Sequence, residues 1–211
     1  MWRRYLEGRL LIIAASRIPD ESTLSADVAV VGAGPAGIVT ALELAQAGLD
    51  VVVLESGGRR RNYDAQRLAD AADWDTELHA PMSMAVRRQV GGTSVIWGGR
   101  CVPYDPIDFE PREIAPEVSW PVEYDELTPF FERTCEWFVC GRPAFDGREM
   151  PELAPGIVPG LPDGDVRSST FERWSLPTNF WSRYRRRIQR SALLRLIVGL
   201  TCVRVHCVDG Q

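Results

Sequence analysis

The sequence contains no lysine, only two histidines and no long hydrophobic run. All 24 basic residues are arginine, a uniformity from which no mechanism follows. The longest apolar run, residues 10–15, is far shorter than the roughly 20 residues that span a bilayer, and Glu7 with a short apolar core makes a poor secretory signal. We therefore expect no membrane span and a cytoplasmic location. A net charge of −5 excludes a global positive field, so no nucleic-acid partner is expected.

The five cysteines are an odd number at low density, which argues against a disulfide framework. Two pairs, Cys135/Cys140 and Cys202/Cys207, have a spacing that suggests metal ligands. The first pair falls on a predicted helix over residues 124–139, whose periodicity turns the thiols apart. The second falls on a predicted strand over residues 201–208, which puts the thiols on opposite faces. We therefore predict small buried side chains and no metal site.

The pattern of apolar residues is most regular early in the chain. Short β-branched runs predict buried strands over residues 27–31 and 50–54. Between them, residues 35–47 predict a helix that begins at a proline and ends before Gly48. Together they form a βαβ unit, residues 27–57, of the expected size. The sequence therefore predicts an α/β fold with a Rossmann-like core.

The rest of the chain is less regular and predicts long irregular insertions. Residues 141–168 are rich in proline and glycine and predict a loop-rich insertion. The sequence ends on Asp209-Gly210-Gln211, a hairpin signal without a returning strand, so we expect an incomplete domain. The other predicted elements are strands over residues 10–14, 195–198 and 201–208 and helices over residues 124–139 and 181–191.

The sharpest motif is the glycine turn of residues 32–37, which follows the first strand of the βαβ unit and opens its helix. In such a turn Gly32 permits the tight bend, Gly34 lets the backbone approach a pyrophosphate, and Gly37 lets the helix pack against the strand. Glu55 ends the next strand at the distance expected for an acid that binds a ribose. The predicted cofactor-binding residues here are Gly32, Gly34, Pro35, Ala36, Gly37, Glu55 and Ser56.

A second glycine-rich loop, residues 90–99, places glycines around two hydroxyls and one tryptophan. Such a loop can present backbone N–H groups and short hydroxyls to a polar ligand. It can equally be a tight loop around a core tryptophan, and the residues alone leave both interpretations open. The predicted ligand-binding residues here are Gly91, Gly92, Thr93, Ser94, Trp97 and Gly98.

These segments together resemble a known family. The turn of residues 32–37, the Leu54-Glu55-Ser56-Gly57 segment and the loop of residues 90–99 resemble the FAD-binding half of glucose–methanol–choline (GMC) oxidoreductases. The resemblance is closer to the branch that includes pyranose oxidases, and residues 120–127 and 174–180 resemble that branch as well. With gaps, the resemblance runs from about Leu10 to Gln211.

The resemblance implies an FAD-binding domain over residues 1–211, with the substrate domain absent. The first turn would hold the pyrophosphate, Glu55 the adenosine ribose and the second loop the flavin end, while a strand around Val203 would pack near the adenine. Pyranose oxidases attach FAD covalently through a histidine just before the tryptophan of this loop. Here Ile96 occupies that position, so non-covalent FAD is expected.

The resemblance also implies oxidation of an alcohol or sugar hydroxyl by hydride transfer to flavin N5, with a histidine as general base. That base lies in the C-terminal part of the family pattern. The two histidines of this chain, His79 and His206, fall in no matching segment. We therefore predict no catalytic residue and expect the isolated chain to be inactive, with a C-terminal half or a second subunit required to complete the enzyme.

Two other interpretations remain open. The chain is alternatively a non-catalytic flavin-binding fragment or subunit, or an NAD-dependent dehydrogenase, although the loop of residues 90–99 argues against the latter. Two arginine clusters, Arg59–Arg61 and the arginines of the helix over residues 181–191, are interpreted as solvated surface, because the net charge is acidic and the clusters lack an interleaved aromatic platform.

Overall fold

The computed structural model describes residues 11–70, 75–111, 120–150, 158, 161, 169–176 and 178–207. The chain divides into two compact units. We call them the sheet unit, Met1–Trp97 with Asn179–Gln211, and the loop unit, Gly98–Thr178. None of the helices in the described residues is long and apolar enough to cross a membrane.

The described residues form strands and helices that alternate in the sheet unit and are short in the loop unit. The strands are β1 Ile12–Ala14, β2 Val28–Val31, β3 Val51–Glu55, β4 Arg100–Cys101, β5 Arg173–Trp174 and β6 Leu194–Val198. The α-helices are α1 Pro35–Gln46, α2 Tyr63–Arg67, α3 Met82–Ala85, α4 Tyr124–Leu127, α5 Phe131–Phe138 and α6 Phe180–Arg190. Short 3-10 turns cover Ala15–Arg17, Gly92–Val95, Pro106–Phe109, Thr128–Phe130 and Gly147–Glu149.

The sheet unit is built on a parallel sheet of four strands in the order β1-β6-β3-β2. Strand β3 lies at the centre, with Val51 paired to Val28 on one side and Leu194 on the other. The β-branched residues of β3 are buried, as a strand covered on both faces requires. The predicted α/β, Rossmann-like core is therefore confirmed, and β2, α1 and β3 begin and end within one residue of the predicted bounds.

Helices α1 and α6 pack against each other in the sheet unit. Helix α6 contributes Phe180, Tyr184 and Ile188, which recur every four residues and are almost fully buried. Burying a large apolar side chain contributes about 1.5–3 kcal/mol. Asn179 begins the helix, because its side-chain oxygen accepts a hydrogen bond from the Ser182 N–H at 3.0 Å. One face of α6 is therefore held firmly in the core.

The predicted strand over residues 201–208 is wrong. Residues 201–207 form no regular element and are exposed, and Val203 is 90% exposed. A strand needs a neighbour to satisfy its backbone hydrogen bonds, and within the described part of the chain no strand pairs with this segment. Alternating valines alone therefore did not specify a strand. Asp209 and Gly210 lie outside the described residues.

The predicted single helix over residues 124–139 is also wrong. Helix α4 ends at Leu127, a 3-10 turn follows, and α5 begins at Phe131. Pro129 lies in that turn and lacks the N–H that a continuous helix would use, which explains the interruption. Val139 ends α5 in the left-handed conformation, with φ of 56°. Of the predicted insertion over residues 141–168, a large part lies outside the described residues.

The early end of α5 changes the environment of its cysteines. Because the chain turns back at Val139, the Cys140 N–H donates to the Cys135 carbonyl at 3.1 Å and the Cys140 sulfur lies 3.8 Å from the same oxygen. The Cys140 thiol also interacts with the Cys135 thiol, so the prediction that these thiols point apart is wrong. Burial and, secondarily, the Cys140 thiol raise the pKa of Cys135 to about 12 and that of Cys101 to about 11.

The second cysteine pair differs from the prediction as well, because Cys202 and Cys207 are exposed. Among the described residues, no group of three or more His, Cys, Asp or Glu side chains has an arrangement that could hold a metal ion.

These environments predict two classes of thiol. In the folded protein at pH 8, Cys202 and Cys207 should react with a disulfide reagent within seconds to minutes. Cys101 and Cys135 should react at least about tenfold more slowly, because a raised pKa keeps the thiol protonated and a protonated thiol is a poor nucleophile. Spectrophotometric thiol titration measures both phases. A Cys202→Ser/Cys207→Ser variant should lose the fast phase; a fast phase that survives would contradict the assignment.

Candidate nucleotide-binding site

The first glycine turn connects β2 to α1. Gly32 has a φ of +94°, a conformation that favours glycine, and its N–H donates to the Leu54 carbonyl at 2.8 Å. A Cβ atom on Gly37 would lie 2.0 Å from the Gly32 carbonyl oxygen, so the helix passes the strand at a distance that only glycine allows. At Gly34 the position of a Cβ atom is open, with the nearest heavy atom, the Gly92 Cα, 4.0 Å away.

No side chain caps the N-terminus of α1, and the first turn of this helix contains no acidic residue. Pro35 stands at the first helical position, where its missing N–H costs nothing. The first turn of a helix has N–H groups without intrahelical partners and carries a partial positive charge. Together with the open space at Gly34, this terminus fits the pyrophosphate of a dinucleotide.

Glu55 ends β3 and is buried, with 5% of its surface exposed. One carboxylate oxygen accepts the Ala33 N–H at 2.8 Å, and the other accepts the Gly57 N–H at 2.8 Å. Each carboxylate oxygen can accept more than one hydrogen bond. The two backbone bonds therefore hold the carboxylate at the glycine turn and leave it capacity to accept from ribose hydroxyls.

The second glycine-rich loop packs directly on the first. The Gly91 N–H donates to the Ala33 carbonyl at 2.7 Å. Gly91 and Gly92 both have positive φ, and a Cβ atom on Gly92 would lie 2.8 Å from the Gly34 Cα. Two motifs about 60 residues apart in the sequence thus form one backbone-lined surface, which fits a dinucleotide that extends beyond its pyrophosphate.

The other predicted residues of the second loop differ in environment. Ser94 is buried, and its hydroxyl donates to the Gly91 carbonyl and accepts the Phe180 N–H, the latter at 3.1 Å. Ser94 therefore ties this loop to the start of α6. Thr93 is exposed and Trp97 half-buried. Gly98 begins the loop unit.

Sequence reasoning missed Arg88, which lies beside the predicted ribose segment. Its Nη1 donates to the Ser56 hydroxyl at 3.3 Å, and a Cβ atom on Gly57 would lie 1.9 Å from the Arg88 carbonyl oxygen. The Arg88 Nε is buried without a hydrogen-bond partner among the described residues. No sequence signal connects Arg88 to Ser56, because the contact spans 32 residues and depends on the fold.

The parallel sheet, the glycine turn and the buried acid define a dinucleotide-binding protein of the Rossmann type. Comparison with known proteins shows what this segment resembles. The profile of the FAD binding domain matches residues 25–67, which contain the turn and Glu55.

Three relatives extend the match beyond this segment. Paromamine 6'-oxidase of Streptomyces fradiae is 33% identical over 147 residues, covering 61% of this chain and 26% of the relative. 2-Methyl-1,2-propanediol dehydrogenase of Mycolicibacterium austroafricanum is 27% identical over 161 residues, 64% of this chain and 29% of the relative. An uncharacterized GMC-type oxidoreductase of Mycobacterium tuberculosis is 37% identical over 105 residues, 45% of this chain and 16% of the relative.

The chain therefore contains a segment that matches an FAD binding domain and is similar to GMC-type oxidoreductases. It spans less than a third of the length of each of these relatives.

The turn geometry predicts that Gly37→Ala destabilises the protein while Gly34→Ala does not. The added methyl group of Gly37→Ala meets the Gly32 carbonyl at less than contact distance, and such overpacking costs about 3 kcal/mol. Gly34→Ala adds the same methyl group to open space in the same turn and is the matched control. Urea unfolding followed by circular dichroism measures both. Equal stability of the two variants would show that the close approach at Gly37 is incorrect.

Proposed function

We propose that this chain binds FAD non-covalently and forms the cofactor-binding portion of an oxidoreductase that oxidises an alcohol or sugar hydroxyl. The observation that carries the proposal is the direct contact between the two glycine loops at Ala33, beside the buried carboxylate of Glu55. The names of the relatives, a paromamine oxidase and a propanediol dehydrogenase, support a substrate with a hydroxyl group.

The proposed contacts bind successive parts of the cofactor, namely the pyrophosphate, the adenosine ribose and the flavin end. The first turn and the start of α1 bind the pyrophosphate, through Gly32, Gly34, Pro35, Ala36 and Gly37. Glu55 accepts hydrogen bonds from the adenosine ribose, with Ser56 beside it. The second loop faces the flavin end, through Gly91, Gly92, Thr93, Ser94, Trp97 and Gly98. Val203 stays a predicted neighbour of the adenine, although the segment around it forms no strand.

Non-covalent binding follows from the side chain at position 96. Ile96 is an aliphatic residue, 41% exposed, and has no atom that can form a bond to the flavin. In the pyranose oxidases a histidine at this position attaches the cofactor, and in this chain Ile96 replaces it. FAD is therefore retained by the backbone contacts of the two loops and by Glu55.

The chemistry that bound FAD supplies is acceptance of a hydride at N5. A general base must lie within hydrogen-bond reach of the substrate hydroxyl. His79 and His206 are exposed and lie outside the motifs of the cofactor site. We therefore assign the residues of this chain to holding and orienting the cofactor, and propose that the base and the substrate pocket belong to a substrate half, in one longer chain or in a second subunit.

A second candidate function is flavin binding without catalysis. The exposure of both histidines is compatible with a subunit or fragment that only carries the cofactor. An NAD-dependent dehydrogenase is disfavoured, because the profile that matches residues 25–67 describes an FAD binding domain and the relative from Mycobacterium tuberculosis is a GMC-type oxidoreductase.

The proposed pyrophosphate site predicts that Gly34→Ala weakens FAD binding without lowering stability. The new methyl group would occupy the space that the cofactor needs next to the α1 N-terminus, and we expect affinity for FAD to fall at least about tenfold. Quenching of flavin fluorescence on titration measures the affinity.

The control for this experiment is Gly58→Ala, which adds a methyl group at ordinary contact distance from the Arg60 carbonyl, outside the turn. Acid precipitation should release all flavin into the supernatant, as non-covalent binding requires. Unchanged FAD affinity in Gly34→Ala would refute the proposed site, and flavin that stays with the precipitate would refute non-covalent binding.

Because we assign no general base to this chain, we predict that the 211-residue chain, saturated with FAD, oxidises neither simple alcohols nor sugars faster than free FAD does. Steady-state reduction of a redox dye and release of peroxide measure turnover. Turnover that exceeds free FAD and disappears in Gly34→Ala would show that the chain contains its own catalytic apparatus.

A further inference from the structure

The two arginine clusters that the sequence presents as separate surfaces converge on one cavity of the sheet unit. Its volume is about 760 Å³, within the range of small-molecule sites. One wall is the segment from Gly58 to Asn62, and the other is one face of α6. The lining consists of Gly58, Arg59, Arg60, Arg61, Asn62, Trp181, Arg185, Arg186 and Gln189.

The α6 wall is presented by a well-anchored helix. Trp181, Arg185 and Gln189 follow one another at intervals of four residues and therefore share a face. The adjacent row of α6, which starts at Phe180, is buried in the core. Trp181 is itself half-buried, and its backbone N lies 3.2 Å from the Cβ position of Gly91. The backbone that carries these arginines is therefore fixed, although the guanidinium groups are exposed.

The opposite wall is held at both ends. Gly58 pairs with Gln89 in an isolated β-bridge, and the Gly58 carbonyl accepts the Val90 N–H at 3.0 Å. At the other end, the Asn62 side chain accepts the Asp64 N–H at 2.8 Å and so begins α2. The three intervening arginines therefore extend from a short segment with fixed ends.

The cavity concentrates positive charge in an acidic protein. Five guanidinium groups line it, and no carboxylate does. None of the five forms an ion pair with a described residue, whereas Arg67, nearby in the sequence, pairs with Asp64 at 3.0 Å. Like charges held together without counter-charges repel one another, and an anion in the cavity removes that repulsion. Guanidinium groups bind phosphate oxygens with paired hydrogen bonds, and Trp181 adds an aromatic surface.

We propose that this cavity, which we call the arginine cavity, binds a small phosphate-bearing anion. The concave shape and the net charge of −5 favour a small ligand over a nucleic acid, which the rest of the surface would repel. Neither residues 32–37 nor Glu55 line the arginine cavity. The cavity is therefore separate from the proposed pyrophosphate and ribose contacts of FAD. The proposal does not depend on the oxidoreductase function.

The experiment is isothermal titration of the 211-residue protein with inorganic pyrophosphate, in the presence and absence of saturating FAD. We expect submillimolar affinity at low salt, equal in both conditions. The double variant Arg60→Ala/Arg186→Ala removes one guanidinium from each wall and should weaken binding at least about tenfold. The double variant Arg183→Ala/Arg190→Ala removes the same charge from exposed positions of α6 outside the cavity and should change affinity less than about twofold.

Thermal unfolding of both double variants checks that each is folded. The proposal fails if pyrophosphate does not bind. It also fails if the two double variants weaken binding equally, because binding would then depend on the overall positive charge of the helix and not on the cavity. It also fails if FAD displaces pyrophosphate, which would place the anion in the nucleotide site. Tighter binding of an oligonucleotide or of anionic vesicles than of pyrophosphate would overturn it in favour of a macromolecular surface.

Discussion

The proposed cofactor site depends on the backbone of Ala33, which is fixed from two sides. Its N–H donates to the Glu55 carboxylate, and its carbonyl accepts the Gly91 N–H. Ala33 is fully buried, so these bonds are not exposed to competition from water. They join the end of β3, the turn before α1 and the second glycine loop. Without them, the two loops would have no common backbone surface, and one buried oxygen of the Glu55 carboxylate would lose its backbone donor.

Several residues thus serve the fold and the proposed site at once. Glu55 accepts two backbone N–H groups before any ribose hydroxyl, and Ser94 connects the second loop to the N-terminal end of α6. A buried polar group costs free energy unless it is paired, so these side chains are held in position by the protein itself. A cofactor then meets groups that are already oriented, which reduces the ordering cost of binding.

Local patterns predicted the βαβ unit well because each of its elements is specified by neighbouring residues. β-branched runs, Pro35 and Gly48 mark the strands and the helix, and the glycine spacing marks the turn. Local periodicity did not predict residues 124–139 correctly, because Pro129 interrupts the helix that the apolar pattern indicates. It failed again for residues 201–208, where alternation indicates a strand only if a neighbouring strand is present. Strand pairing is a tertiary property, which a local pattern does not contain.

The sequence by itself determined the Rossmann-like core, the glycine turn with its acid, and the resemblance to a family of FAD-binding oxidoreductases, because these are encoded over short spacings. Only the tertiary structure decided which distant residues meet. It placed the loop at Gly91 against Ala33, placed Arg88 beside Ser56, and joined two arginine clusters in one cavity. Those contacts depend on the strand order β1-β6-β3-β2, which brings segments far apart in the chain together at the ends of the strands.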